Sequence, residues 1–398
     1  MLLPAILCMI LLSGCWDYRN MDDINIVAGV AVDLNDDDQY ELTLELVNTA
    51  SMKDKGGDDS LVVTAEGPTV FEAARNAKKK LYNKLYFGSM RIIIISQELA
   101  EKEGIADVID VFLRDVEPRE TTFTVISQEQ SASRILSASG LDTLNVSYEI
   151  SEIILEAVKV DTSTKSVQLY EVYNILHAKG VELVLPAVHL TENNEEEVAE
   201  INGAAVFSGD KLIEFLSPED TRYFLMTTER DTRGAISLPE PGDKDSKVAL
   251  EIMRLDSKPQ VHYKNGSITI TVSINIDYKV AGYPGIENIS PQEFEDLNRD
   301  MEQVLRQRIT NAFEKIQKGP GTDIYGFGQM LYKKQHTVWL EIEQENMQVN
   351  MQENMQGEGE REKLKDRQGD EGNWAQLFRQ AEFVAQVKAK SVGIGITS

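Results

Sequence analysis

The sequence predicts an α+β protein: several domains of mixed sheets with packed helices. Three observations carry this. In the first half, short β-rich runs alternate with stretches of helical period. In the second half, long alternating strands flank one long amphipathic helix. The length of 398 residues sets two or three domains.

The elements follow in order. INIVAGVAVD at 24–33 and YELTLELV at 40–47 read as a hairpin around LNDDDQ, with Tyr40, Leu42, Leu44 and Leu46 on one face and a wet face opposite. LVVTAEG is a short strand. Thr69 caps a helix predicted to run to about Leu85, with Val70, Ala74, Ala77, Leu81 and Leu85 as its apolar stripe. Lys78, Lys79, Lys80 and Lys84 crowd its end, as a solvated helix terminus or as a binding patch. MRIIIIS at 90–96 has the continuous apolar character of a strand covered on both faces. A helix at 97–114, the strand ETTFTVIS, helices near 145–158 and 166–178, and the strand ELVLPAVHLT complete a first domain over 15–190.

The run TENNEEEVAE makes 191–200 an acidic linker. The C-terminal region, 201–398, then opens with a small hairpin and helix subdomain at 201–240. Its hairpin turns at Ser208-Gly209-Asp210, and Ser217 caps its helix. A sheet-plus-long-helix domain occupies 245–398. Asn265-Gly266 is a type I′ turn between long strands, and Ser290 caps the long helix, which Gly319-Pro320-Gly321 ends. AEFVAQVKAKSVGIGI is a last strand. Residues 343–372 form a low-complexity insertion, with NMQ at 346, 350 and 354. It holds too few aliphatic residues to offset the entropy of ordering.

The first 12 residues, MLLPAILCMILL, carry no charged side chain. A helix crossing the bilayer needs about 20 apolar residues, whereas a signal-peptide core takes roughly 7–15. Residues 1–14 therefore read as a signal peptide. Leu12-Ser13-Gly14-Cys15 has the form of a lipobox, with cleavage between Gly14 and Cys15 and a diacylglycerol thioether on the Cys15 sulfur. The segment lacks a basic n-region, which leaves open whether Met1 is the true start. Trp16 either sits at headgroup level or packs on the first strand. Two acyl chains hold a protein stably where one does not.

The net charge of −26 argues against nucleic acid, and because anionic lipid repels an acidic protein, surface charge cannot be what holds it to a bilayer and the covalent lipid has to do so. No metal partner is expected, because His177, His189, His262 and His336 show no ligand spacing. No GxSxG or GxxxxGK[ST] occurs. GPGTDIYGFG resembles a phosphate loop only loosely and reads as a tight turn packing Tyr325 and Phe327. The chain is expected not to be an enzyme. A solute-binding lipoprotein that captures a nutrient and an envelope hydrolase are the rivals. The hydrolase requires convergent carboxylates of raised pKa.

Three blocks carry a family likeness. In CWDYRNMDDINIVAGVAVD, Cys15, Trp16, Asp17, Arg19, Asp23, Ile26, Val27 and Gly29 fill one pattern. NGAAVFSGDKLIEFLSPEDTRYFLM at 202–226 and DIYGFGQMLYKKQHTVW at 323–339 fill two more, with Tyr325 where Phe is usual. The chain resembles the Ger(x)C family, the C subunits of spore germinant receptors. The insertion separates Trp339 from Asn373-Trp374-Ala375-Gln376-Leu377-Phe378, where the family's C-terminal part resumes. The resemblance implies a three-domain architecture and a lipoprotein on the outer face of the spore inner membrane, partnered by A and B subunits in nutrient sensing. It implies no catalysis and no cofactor beyond the lipid on Cys15, a diacylglycerol with an optional N-acyl chain such as palmitate.

Overall fold

The computed structural model describes residues 23–48, 60–115, 117–138, 140, 145–160, 163–229, 233–240, 243–282, 290–343 and 372–394. The expected signal segment, Gly14, Cys15, Trp16 and insertion residues 344–371 lie outside the described residues.

The first sheet is built from β1 (Ile24–Leu34), β2 (Tyr40–Val47), β3 (Ser60–Gly67), β4 (Lys84–Tyr86), β5 (Ile92–Ser96), β6 (Phe123–Ser127), β7 (Val184–Asn193), β8 (Glu196–Ser208) and β9 (Lys211–Leu216). Their spatial order is β3-β2-β1-β5-β6-β7-β8-β9, with β4 beside the start of β1. The centre, β1-β5-β6-β7, is parallel, and the outer pairs are antiparallel. Helices α1 (Val70–Lys78), α2 (Gln97–Lys102), α3 (Ala106–Arg114) and α6 (Leu169–Leu176) cover one face, where Ala73, Leu99, Ile109 and Val172 meet Ile93 and Ile95. Helices α4 (Ser133–Leu136) and α5 (Val146–Val160) cover the other, where Ile135 and Ile150 meet Ile92 and Ile94. Ile92 to Ile95 are therefore all fully buried, as their unbroken apolar run requires. Each contributes about 1.5–3 kcal/mol.

The second half comprises α7 (Pro218–Thr228), β10 (Gly234–Glu240), β11 (Asp243–Lys264), β12 (Ser267–Gly282), α8 (Pro291–Lys318), α9 (Phe327–Lys334), α10 (336–343), α11 (Gly372–Gln380) and β13 (Glu382–Ile394). The sheet order is β10-β11-β12-β13, with β13 parallel to β12. Asn265 and Gly266 both have positive φ in the β11–β12 turn, as the Asn-Gly pair requires. Every second residue of β12, from Ile268 to Val280, is buried. The stripe Leu297, Met301, Leu305, Ile309 and Phe313 of α8 packs in the same core.

The structure corrects several expectations. Residues 191–200 are no linker: they form the tip of the β7–β8 hairpin, turning at Asn194 and Glu195. Nor is 201–240 a separate subdomain, and the first sheet does not end at 190. Strands β8 and β9 complete that sheet, and Val206 and Leu216 pack into the core of the second half. Acidic residues at a hairpin tip have the same composition as a solvated connector. Helix α1 ends at Lys78, and Leu85 lies buried on β4. The predicted helix 97–114 is two helices, divided where Gly104 takes a positive φ. The wet face assigned to the first hairpin is covered, since Thr43 and Glu45 are buried beneath α5 and its neighbours.

Candidate functional site

The third sequence block builds the junction between the two halves. Asp323, 3% exposed, stands before the first turn of α9. Its Oδ1 accepts from the Tyr325 N–H at 3.1 Å and its Oδ2 from the Gly328 N–H at 2.7 Å. Its Oδ2 also accepts from Trp374 Nε1 at 3.1 Å, across the low-complexity insertion. Burial pushes the Asp323 carboxyl up to about 7, and these N–H donors oppose the shift.

The same turn is bonded to the first half. The Glu182 N–H donates to the Asp323 carbonyl at 2.9 Å, and the Gln329 N–H donates to the Gly180 carbonyl at 2.7 Å. Two glycines make that approach possible. A Cβ on Gly328 would lie 2.5 Å from Trp374 Nε1, and one on Gly180 would lie 2.5 Å from the Gly328 carbonyl carbon. Gly180 also has φ +70°, outside the range most side chains accept. Glu343 at the end of α10 accepts from Trp339 Nε1 at 2.7 Å and from Lys179 Nζ at 2.9 Å.

An aromatic cluster fills the junction. Tyr325 and Phe327 stack with centroids 5.2 Å apart, as the tight-turn reading predicts, and Phe313 stacks on Phe383 at 3.9 Å. Trp339 and Trp374 lie 5.9 Å apart, so residues on the two sides of the insertion meet in the cluster. Beside the cluster runs an open cleft of about 410 Å³ between the halves, lined by Lys165, Glu182, Ser257, Tyr325, Met330 and Lys333 among others.

The other two blocks are also structural where they are described. Gly29 leaves room for α5, since a Cβ there would lie 2.1 Å from Ser147 Oγ. In the second block, Ser217 caps α7 through the Asp220 N–H at 3.1 Å. Lys315 on α8 reaches Asp220 at 2.5 Å, and Arg308 donates to Tyr223 at 2.8 Å, which ties α7 to α8.

Burial also raises the carboxyl of Glu41, which pairs across strands with Asp33 and is pushed further by Asp33 and Glu66, whereas two other raised carboxyls are occupied by backbone N–H groups. Glu45 accepts from the Val146 and Ser147 N–H groups, both at 2.9 Å, at the start of α5. Asp33 accepts from Ala132 at 2.6 Å and Ser133 at 3.0 Å at the start of α4. Burial raises both carboxyls against those hydrogen bonds. These side chains act as helix caps. Among the described residues no cluster of three His, Cys, Asp or Glu side chains is placed to hold a metal ion. No described helix is long and apolar enough to cross a membrane.

Some junction residues escape sequence reasoning. Gly180, Glu182 and Lys179 belong to a loop with no motif, and their partners lie well over a hundred residues downstream.

Fold and junction together define a multi-domain α+β body whose motif residues lock its halves to each other. Comparison with known proteins gives the class. A family model described as "Spore germination protein N-terminal domain" matches residues 17–190. A second, "Spore germination B3/ GerAC like, C-terminal", matches residues 202–359. Spore germination protein KC of Bacillus subtilis (strain 168) is 24% identical over 362 residues, covering 85% of this chain and 88% of that protein. Spore germination protein B3 of the same organism is 21% identical over 407 residues, covering 97% and 96%. The crystal structure of the GerBC protein superposes with a TM-score of 0.53 at 16% identity, over 92% of this chain and 97% of that one, and shows the shared fold.

The chain belongs to the Ger(x)C family of spore germination proteins. It accordingly has a role in spore germination, and the names of these relatives state no enzymatic activity.

Proposed function

We propose that this chain is the lipid-anchored C subunit of a nutrient germinant receptor, held on the outer face of the spore inner membrane. It acts there through protein contacts with the A and B subunits. The carrying observation is Leu12-Ser13-Gly14-Cys15, a lipobox set immediately before the first family block. The two acyl chains on Cys15 confine the body to the membrane plane and raise its effective concentration near integral partners. The hydrogen bonds centred on Asp323 support this reading, because they join the two halves into one body whose surface can meet those partners. The test is germination of spores carrying Cys15→Ala. The variant protein is expected in the soluble fraction with the nutrient response lost, and a normal response from such spores would overturn the proposal.

The rival reading is direct capture of a small nutrient, for which the open cleft between the halves is the candidate place. Calorimetry of candidate nutrients against the purified chain separates the two. Heat of binding that vanishes in Lys333→Glu favours capture, and a flat titration favours the docking role alone.

A further inference from the structure

The cleft between the halves continues along β11. A second hollow of about 160 Å³ is lined by Gln260, Val261, His262, Leu331 and Gln335 among others. The two share Pro259, Met330 and Lys334, so they form one groove with β11 on one side and α9 on the other. Ile175, Val181, Pro259 and Met330 make its walls largely apolar.

The groove runs beside a strand edge. Strand β10 pairs with β11 only between Asp243 and Ile252, whereas β12 pairs with it as far as Lys264. From Arg254 to Lys264, β11 therefore has a strand on one side only among the described residues. Gln335 Nε2 donates to the Val261 carbonyl there at 3.3 Å, and Pro259 has no N–H to offer. Both guard the edge against indiscriminate pairing while leaving it accessible.

The charge of the groove is opposite in sign to that of the chain. The cleft is lined by Lys165, Lys333 and Lys334 against one carboxylate, Glu182, in a chain of net charge −26. Two of these four are committed. Lys165 pairs with Glu229 at 3.2 Å, and Glu182 accepts from the Gly209 N–H at 2.7 Å. Lys333 donates to the neutral Gln329 side chain at 2.7 Å, and Lys334 makes no hydrogen bond or ion pair among the described residues. Both are exposed, so two positive charges border the groove without an anionic partner among the described residues.

We propose that this groove receives a short, extended, acidic segment of a partner subunit of the receptor. The proposal rests on the docking role given above and names the surface that performs it. A small-ligand site encloses most of its ligand. An open groove suits a chain that brings backbone groups to a strand edge and alternate side chains to the walls. Apolar side chains of the segment enter beside Pro259 and Met330, and its carboxylates face Lys333 and Lys334. A second copy of this chain is disfavoured, because two bodies of charge −26 repel. Opposite charge across the groove speeds encounter and rejects basic partners, and salt weakens it.

Spores are prepared with the full lipidated chain carrying photoreactive p-benzoylphenylalanine in place of exposed Gln260, or of Ile213 on β9 as the control. Irradiated spore membranes are solubilised, and cross-linked peptides are sequenced by mass spectrometry. Position 260 is expected to give an adduct with an acidic stretch of an integral receptor subunit, and position 213 none. K333E/K334E should lower that yield more than about tenfold, because like charges then face each other, while K333R/K334R retains it. A yield that K333E/K334E leaves unchanged overturns the proposal. So does an adduct with a basic stretch, with a second copy, or with residues 344–371 of the same chain. A chain that copurifies with the receptor subunits yet gives no adduct at 260 overturns the groove and leaves the docking role standing. A chain that copurifies with no receptor subunit removes that role and this proposal together.

Discussion

Asp323 Oδ2 and Trp374 Nε1 are 3.1 Å apart, a buried hydrogen bond between residues separated by 51 positions and the low-complexity insertion. The bond joins α9 to α11. Because Glu182 donates to the Asp323 backbone, it also ties both helices to the first half of the molecule. Residues from the two sides of the insertion meet at this carboxylate.

Asp323→Asn should lower stability more than a surface substitution. Its two oxygens serve three N–H donors, and an amide turns one N–H against another. Leaving a buried donor without a partner costs about 1–3 kcal/mol. Urea denaturation followed by tryptophan fluorescence reads the loss, and an unchanged midpoint would contradict the role given to this residue.

Stability should also fall as pH rises. Burial raises the Asp323 carboxyl from 3.8 to about 7, so the folded chain holds that proton more tightly than the unfolded chain does. Its contribution is full below 3.8 and fades as pH climbs towards about 7. Asp33 and Glu45 are raised as well and act with the same sign. The difference between the parent chain and Asp323→Asn should therefore narrow or reverse with rising pH in this window. A difference that grows with pH counts against the assignment.

The glycines of the junction should divide into two classes. Gly328→Ala puts a methyl 2.5 Å from the Trp374 indole, and Gly180→Ala meets backbone at the same distance with a positive φ. Each should cost about 2–4 kcal/mol and move the tryptophan emission. Gly209→Ala and Gly266→Ala have nothing within 4 Å and bear only the backbone conformation, about 1 kcal/mol. Thermal melts of the four variants test the split.

Glu45→Gln should destabilise the first half by about 1–3 kcal/mol, because one of two N–H groups at the start of α5 then faces an amide donor. Glu41, half-buried on the same strand, is the control, and Glu41→Gln should cost less. Equal losses would show that Glu45 is not a cap.

Much of the fold was legible where local chemistry decides it. Thr69, Ser217 and Ser290 each cap the helix that follows, and Asn265-Gly266 makes its turn. Ile92 to Ile95 are covered on both sides. Misreadings came where burial depends on distant partners. Glu45 alternates with leucines as a solvated residue does, and only α5 above it turns that position into a cap. The acidic stretch at 191–200 looks like a connector because a hairpin tip is equally solvated. The site divides in the same way: DIYGFG was visible as a tight turn, whereas its bonds to Gly180, Glu182 and Trp374 exist only in three dimensions.

The central claim is the lipid on Cys15, and intact mass spectrometry of the protein isolated from spore membranes tests it most directly. The account predicts a mature chain that begins at Cys15 and carries the mass of a diacylglycerol. An N-terminal peptide that retains residues 1–14, or begins at Cys15 with a free thiol, would contradict it.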